Sequence, residues 1–239
     1  MTGIRRASAA EAYGTFLLVM IGPGTITAMR FAGLGTSGPA LGVIGLAHGV
    51  ALLVAIYSIG HISGAHINPA VTIAAWATHK IEARRVAPYI IAQLVGASIA
   101  GVTQLVLWSS NSGNGGYDAA KLTFLGDTVP GSGFTIGAAL LAEVVGTAIL
   151  VFTIFGATDK KADSSWAGVA IGLVLAAVIW MFGPISGASL NPARTIGPTL
   201  ASAVFSLTPF NTLWIYIVGP IFGGLLGAFL YEVVRPSHE

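Results

Sequence analysis

Apolar and polar positions alternate in long blocks along the 239 residues of the chain. Six apolar blocks reach or approach the roughly 20 residues that an α-helix needs to cross the hydrocarbon core of a bilayer. Polar connections separate the blocks, so the pattern predicts an all-α membrane protein with six transmembrane helices and no separate soluble domain. The predicted spans are 9–29, 41–59, 86–107, 136–155, 167–182 and 213–234.

The composition agrees with lipid as the main solvent. Hydrophobic residues make up 54% of the chain and charged residues only 8%, whereas about a quarter of the residues in soluble domains are charged. The net charge of +2 is too small to indicate nucleic acid as a partner. Cysteine is absent, which excludes disulfides and thiolate metal ligands. The first block has no small-residue cleavage site, so we expect a retained span.

The distribution of Lys and Arg predicts the orientation. If both termini lie on the inner side, only Arg30 and Lys121 fall on the outer side. Cytoplasmic connections are enriched in basic residues, so we expect cytoplasmic termini in a multi-pass protein of a cell membrane, plasma or inner. The longest polar connection, 109–133, then lies outside. The basic residues assigned to the inner side are Arg5, Arg6, Lys80, Arg84, Arg85, Lys160, Lys161 and Arg235.

The two halves of the chain resemble each other. Residues 10–15 (AEAYGT) match residues 142–147 (AEVVGT), and residues 62–70 (ISGAHINPA) match residues 185–193 (ISGASLNPA). Each half has three spans, so the second half runs through the bilayer upside down, and such inverted repeats place their site at the midplane. We therefore predict a single transmembrane channel domain over 1–239. It comprises repeat one (1–110), the extracellular connection (109–133) and repeat two (134–239).

Each half contains an Asn-Pro-Ala motif followed by an apolar stretch too short to cross the bilayer, 71–78 and 195–204. Asn before Pro marks the start of a helix. One copy alone indicates a surface turn, but two copies at equivalent places favour two re-entrant loops that return as half-helices. The motifs are Asn68-Pro69-Ala70 and Asn191-Pro192-Ala193.

The backbone before each motif is predicted to line a wet cavity. Irregular backbone at membrane depth is tolerated only where it is packed in protein or faces water. The residues whose carbonyl groups are assigned to the pore are Gly64, Ala65, His66, Gly187, Ala188 and Ser189.

At these residues the chain resembles the aquaporins, the major intrinsic protein family. The resemblance rests on the paired motifs, on GHISGAH at 60–66 and on the two AExxGT starts, and it covers nearly the whole chain. It implies a passive channel with a separate pore in each subunit of a homotetramer. The implied partners are water, small neutral solutes and membrane lipid, with no cofactor.

Four leucines are predicted to form an apolar wall around the two motif asparagines. Leu18 and Leu150 each follow the glutamate of their repeat by seven residues. Leu52 and Leu175 lie on the pore-facing sides predicted for the second and fifth spans, where side chains four residues apart share one face. Ordinary core or lipid-facing leucines are the alternative.

The predicted selectivity filter comprises His48, Ile179, Ala188 and Arg194. A cation inside a membrane segment is costly and usually functional, although a structural anchor is the alternative for Arg194. Water channels of the family usually have an aromatic ring at the position of His48 and a histidine at that of Ile179. The set here is similar to that of tonoplast aquaporins, several of which also pass ammonia or urea.

Two glutamates, Glu11 and Glu143, lie within predicted spans. A proton-relay transporter uses such carboxylates. The resemblance instead implies that each accepts hydrogen bonds from the backbone of a re-entrant loop, whose buried polar groups need partners.

These observations predict a passive water channel that excludes protons and ions and possesses no enzymatic activity. Ammonia and other small neutral solutes are further candidates for passage. A glycerol facilitator is the alternative, but facilitators of the family typically carry Asp and Lys where this chain has Thr195 and Thr199. A coupled secondary transporter is a more distant alternative. We expect no cofactor and no metal site.

Overall fold

The computed structural model describes residues 3–235. Within this range the chain forms nine α-helices and three short 3₁₀ turns, and the described residues include no strand. The helices are α1 (Gly3–Phe31), α2 (Pro39–Ser63), α3 (Pro69–Ala77), α4 (Ala83–Ser109), α5 (Gly115–Thr123), α6 (Ile136–Ala157), α7 (Ala167–Ser186), α8 (Pro192–Ser202) and α9 (Ile215–Val234). The 3₁₀ turns are Phe124–Gly126, Ser164–Trp166 and Thr208–Asn211.

Six helices, α1, α2, α4, α6, α7 and α9, are long and apolar enough to cross a membrane. The six predicted spans are confirmed, and the protein is an integral multi-pass membrane protein. Helices α3 and α8 have 9 and 11 residues. At 1.5 Å per residue they extend only about 14–17 Å, roughly half of the hydrocarbon core. They are the two expected half-helices.

Two of the predicted spans ended four residues too early. Helix α2 continues to Ser63 and α7 to Ser186, beyond the predicted ends at 59 and 182. Both helices stop where a glycine adopts the left-handed conformation, with φ 92° at Gly64 and 85° at Gly187. Such a glycine ends a helix through its backbone conformation. The predicted ends came one turn earlier because they were placed where the hydrophobicity of the sequence falls.

The two halves pair their helices in the same way. Helix α1 packs along α4 and α2, and α6 packs along α9 and α7. Each half-helix packs against the last span of the other half, α3 against α9 and α8 against α4. We call the face with the start of α1 and the end of α9 the inner face, and the opposite face, which carries the α4–α6 connection, the outer face.

Equivalent glycines bring the paired helices together. A Cβ atom on Gly96 of α4 would collide with the carbonyl oxygen of Ala12, and one on Gly223 of α9 with that of Val144. Small residues at such crossings let helix backbones approach closely, which is a main source of helix association in lipid.

The α4–α6 connection is more ordered than its polar composition indicated. It contains α5 and the turn Phe124–Gly126, and both pack against α1. Ala120 and Leu125 are fully buried there. The connection therefore folds back over the outer end of the helices and reaches α8.

We expect Gly223→Ala to destabilise the protein by about 1–3 kcal/mol, because overpacking a close contact forces backbones apart. Gly42→Ala is the control, since a Cβ on this α2 glycine meets no atom within 4 Å. Thermal unfolding in detergent measures both. Equal unfolding temperatures for the two variants would contradict the role assigned to the Gly223 crossing.

Candidate functional site

The two re-entrant loops meet at their asparagines. The side-chain oxygen of Asn68 accepts from the backbone N–H of Ala70 at 2.8 Å, and that of Asn191 accepts from Ala193 at 3.0 Å. Each asparagine thus caps the start of its half-helix, as the sequence predicted. Both side chains are 4% exposed.

Each asparagine also bonds to the loop of the other half. The amide Nδ2 of Asn68 donates to the carbonyl of Leu190 at 2.8 Å, and that of Asn191 donates to the carbonyl of Ile67 at 2.9 Å. One of the two hydrogens of each amide is used in this way. The reciprocal bonds fix the two half-helices head to head at the centre of the molecule.

The loop backbones adopt conformations that side chains rarely tolerate. In the first loop φ is 49° at Ala65 and 57° at Ile67, and in the second it is 46° at Ala188 and 57° at Leu190. Non-glycine residues in this left-handed region persist only where the surroundings hold them.

Glu11 holds the first loop. Its Oε1 accepts from the N–H of His66 at 2.9 Å and the hydroxyl of Ser63 at 2.6 Å. Its Oε2 accepts from the N–H of Ile67 at 2.6 Å and the amide of Gln93 at 2.8 Å. The carboxylate, fully buried, receives four donors.

Glu143 does the same for the second loop. Its Oε1 accepts from the N–H of Ser189 at 2.9 Å and the hydroxyl of Ser186 at 2.7 Å, and its Oε2 accepts from the N–H of Leu190 at 2.7 Å. Two tyrosines complete the support, since Tyr89 donates to the carbonyl of Ser63 and Tyr216 to that of Ser186.

An inner cavity of about 680 Å³ extends from the inner face to the asparagines. Gly64, Ala65 and His66 of the first loop and Ser189 of the second lie in its wall. All four leucines of the predicted apolar wall, Leu18, Leu52, Leu150 and Leu175, line this cavity as well. Residues of the re-entrant loops and hydrocarbon side chains therefore both line this cavity.

An outer cavity of about 210 Å³ opens toward the outer face. Ile179 and Gly187 line it, whereas their neighbour Ala188 is buried without lining either cavity. His48 and Arg194 line both cavities. The two cavities therefore meet at this pair.

The His48–Arg194 pair lies where the two cavities meet. The guanidinium nitrogen Nη2 of Arg194 lies 3.2 Å from Nε2 of His48, and Nη1 donates to the carbonyl of Gly126 at 2.8 Å. Nδ1 of His48 lies 2.8 Å from the carbonyl oxygen of Ile44, so this nitrogen carries the ring proton. Nε2 is then the acceptor, and the imidazole is neutral.

The comparison with known proteins agrees with this geometry. The profile of the family described as Major intrinsic protein matches residues 2–231. The chain belongs to the major intrinsic protein family. Aquaporin AqpM of Methanothermobacter marburgensis is 42% identical over 248 aligned residues, which cover 97% of this chain and 98% of that protein.

Other relatives within the family extend the likeness to bacteria and to solved structures. Aquaporin Z of Photorhabdus laumondii is 41% identical over 237 residues, 96% of this chain and 97% of that protein. The X-ray structure of the aquaglyceroporin from Plasmodium falciparum superimposes with a TM-score of 0.85 at 26% identity, covering 97% of this chain and 96% of that one. The predicted aquaporin-like fold is thereby confirmed.

Sequence reasoning overlooked several residues at the site. Gly22 of α1 leaves room for His48, because a Cβ there would collide with the imidazole ring. Gly126 supplies the carbonyl that holds Arg194. Gly22 lies about two turns beyond the matched start of its helix. Gly126 belongs to a connection without an equivalent in the repeat, so neither residue had a signal in the pattern.

We expect Glu143→Gln to destabilise the protein by about 1–3 kcal/mol, because the amide NH₂ faces a buried N–H donor in place of an acceptor. Thermal unfolding in detergent measures the effect. The same substitution at exposed Glu82, which pairs with Arg84 at 2.7 Å, is the control. A Glu143→Gln protein as stable as the control would show that the second loop does not depend on the carboxylate.

Proposed function

We propose that the protein is a passive channel for water that excludes protons and ions. The observation that carries the proposal is the path formed by the two cavities, which meet at the His48–Arg194 pair and pass the two asparagines. The family and its members named aquaporin support the same function.

Water passage needs hydrogen-bonding partners on one side and an inert surface on the other. The carbonyl groups assigned to the pore serve as acceptors in single file, and the leucines opposite bind no water. At the centre, the remaining N–H of Asn68 and that of Asn191 donate to the oxygen of a passing molecule. Each water therefore keeps partners throughout the path, and the activation energy for its passage is low.

Two positive features oppose cations and protons. Helices α3 and α8 both begin at the central asparagines, and the N-terminus of a helix carries about half a positive elementary charge. Arg194 adds a full charge at the constriction. A water at the centre that accepts from both asparagines is oriented, which interrupts the proton-conducting chain.

The filter favours ammonia as a second permeant. His48 and Ile179 replace the larger ring and the polar imidazole found at the matching positions of strict water channels. Thr195 and Thr199 stand where glycerol facilitators have charged residues, which argues against glycerol as the main solute. The likeness to an aquaglyceroporin concerns the overall fold at 26% identity.

The assembly and its placement follow from the same resemblance. We propose a homotetramer with a pore in each subunit and with both termini in the cytoplasm. The residues assigned to the inner side by their positive charge lie at the inner face. Exposed apolar side chains cover the long helices, for example Val50, Leu173 and Phe222, and provide surface for neighbouring subunits and lipid.

Stopped-flow light scattering of reconstituted vesicles tests the function. We expect water efflux much faster than from empty liposomes, with a low activation energy and no matching proton leak in a pH-dye assay. Shrinkage no faster than that of empty liposomes would overturn the water channel. Proton conductance comparable to water flux would overturn only the proposal that an electrostatic barrier excludes protons.

The double variant His48→Phe, Ile179→His tests the filter. It introduces the ring and imidazole of strict water channels, so ammonia flux should fall more than water flux. The measurement is the ratio of ammonia to water permeability in the same lipid. Val50→Phe, on the exposed side of α2, is a matched control. An unchanged ratio in a water-conducting double variant would show that these positions do not set selectivity.

A further inference from the structure

The position of the Arg194 guanidinium depends on the segment 126–128, which lies outside both repeats. Its Nη1 donates to the carbonyl of Gly126 at 2.8 Å. Gly126 has φ 74°, and a Cβ there would collide with the carbonyl oxygen of Pro23. The segment is therefore wedged between α1 and the constriction, and its position sets that of the arginine.

Asp127 ties this segment to α8. Its Oδ2 accepts from the hydroxyl of Thr199 at 2.6 Å, and its Oδ1 accepts from the N–H of Thr128 at 2.7 Å. A second tie lies beside it, where the hydroxyls of Thr128 and Thr195 are 2.6 Å apart. Asp127 is only 9% exposed, and it lines the outer cavity together with Arg194.

The hydroxyl of Thr199 has two acceptors. Besides the carboxylate at 2.6 Å, it reaches the carbonyl of Thr195 in its own helix at 3.0 Å. Hydrogen bonds to an ionised carboxylate are roughly twice as strong as bonds between neutral groups. The ionised form of Asp127 therefore draws the hydroxyl toward the segment, and the neutral form leaves it to the helix.

The charges around Asp127 come from the elements packed on it. Arg194 of α8 is the nearest cation, and Tyr216 of α9 is a more distant, neutral phenol. The hydrogen bonds of His48 of α2 indicate a neutral imidazole. Arg30 at the end of α1 and Lys121 of α5 are exposed. Burial raises the pKa of Asp127 to about 7, against hydrogen bonds from Thr199 and Thr128 that lower it.

We propose that Asp127 is a positioning residue for Arg194, whose ionised carboxylate fastens the segment 126–128 to α8 and holds the guanidinium at the wall of the constriction. The inference rests on the proposed water channel. When Asp127 is neutral, the segment is held less firmly and Arg194 has lost its nearest counter-charge. The guanidinium then moves into the path and narrows it, so water permeability falls with acidity at the outer face.

Water permeability against pH is the test, with equal pH inside and outside the vesicles. Between pH 8.5 and 5.5 we expect a roughly threefold fall for the natural protein, because a modest difference in interaction shifts a two-state population several-fold. Asp127→Asn should show the low water permeability at every pH, without the pH-dependent step. Asp118→Asn, an exposed carboxylate on α5 of the same connection, should retain the step.

Thr199 provides a second readout that a purely structural role would not move. Thr199→Val removes a donor to the ionised carboxylate, so the pKa of Asp127 rises and the midpoint of the step moves to higher pH. Thr199→Ser keeps the hydroxyl and should restore the midpoint.

The outcomes separate this inference from the function on which it rests. Natural protein that conducts no water would overturn both. Water flux that is flat between pH 5.5 and 8.5, or a step that persists in Asp127→Asn, would overturn the inference alone. A midpoint unchanged in Thr199→Val would also overturn it, and this result is accessible even if Asp127→Asn fails to fold.

Discussion

The structure depends on one constraint, the satisfaction of irregular backbone at the depth of the bilayer. A loop that enters the membrane exposes N–H groups that neither lipid nor a helix can pair, and each unpaired group costs several kcal/mol. Glu11 and Glu143 resolve this by accepting two backbone N–H groups each. With the N–H groups turned toward the glutamates, the loop carbonyls are left for the pore.

The two glutamates are not equivalent in their surroundings. Glu11 receives a fourth donor from Gln93, and Pro220 stands at the corresponding place in α9, where no side-chain amide exists. The second loop obtains additional bonds elsewhere, because the hydroxyl of Ser189 lies 2.5 Å from that of Thr195. Thr195 in turn contacts the outer connection. The second loop is thus supported from outside the repeat, on the side where the path is narrowest.

The features that could be predicted from the sequence are those that occur once in each repeat. The spans, the half-helices and the paired asparagines could be found because hydrophobic blocks and motif copies are local signals. The four leucines line the inner cavity for the same reason, since their spacing from the glutamates and motifs fixed their helix faces. The roles of these residues in permeation stay predictions.

Contacts between distant elements could not be predicted in the same way. Asp127 and Gly126 lie in a connection that has no copy in the chain, and its polar composition indicated only an exposed loop. Its burial arises because α5 and the following turn fold onto α1 and α8. Ala188 is buried with a left-handed backbone and its neighbour Gly187 lines the outer cavity, so the place of Ala188 in the filter stays a prediction.

The reciprocal asparagine bonds have a consequence for biosynthesis. Asn68 is synthesised long before Leu190, to whose carbonyl it donates a hydrogen bond. Ile67 is likewise synthesised long before Asn191, which donates to its carbonyl. While the ribosome is still adding the last spans, the first re-entrant loop therefore lacks its final partners. The conducting path closes around the midplane only when the second half has been inserted. A nascent or truncated chain has no complete pore, which protects the cell from leakage through unfinished copies.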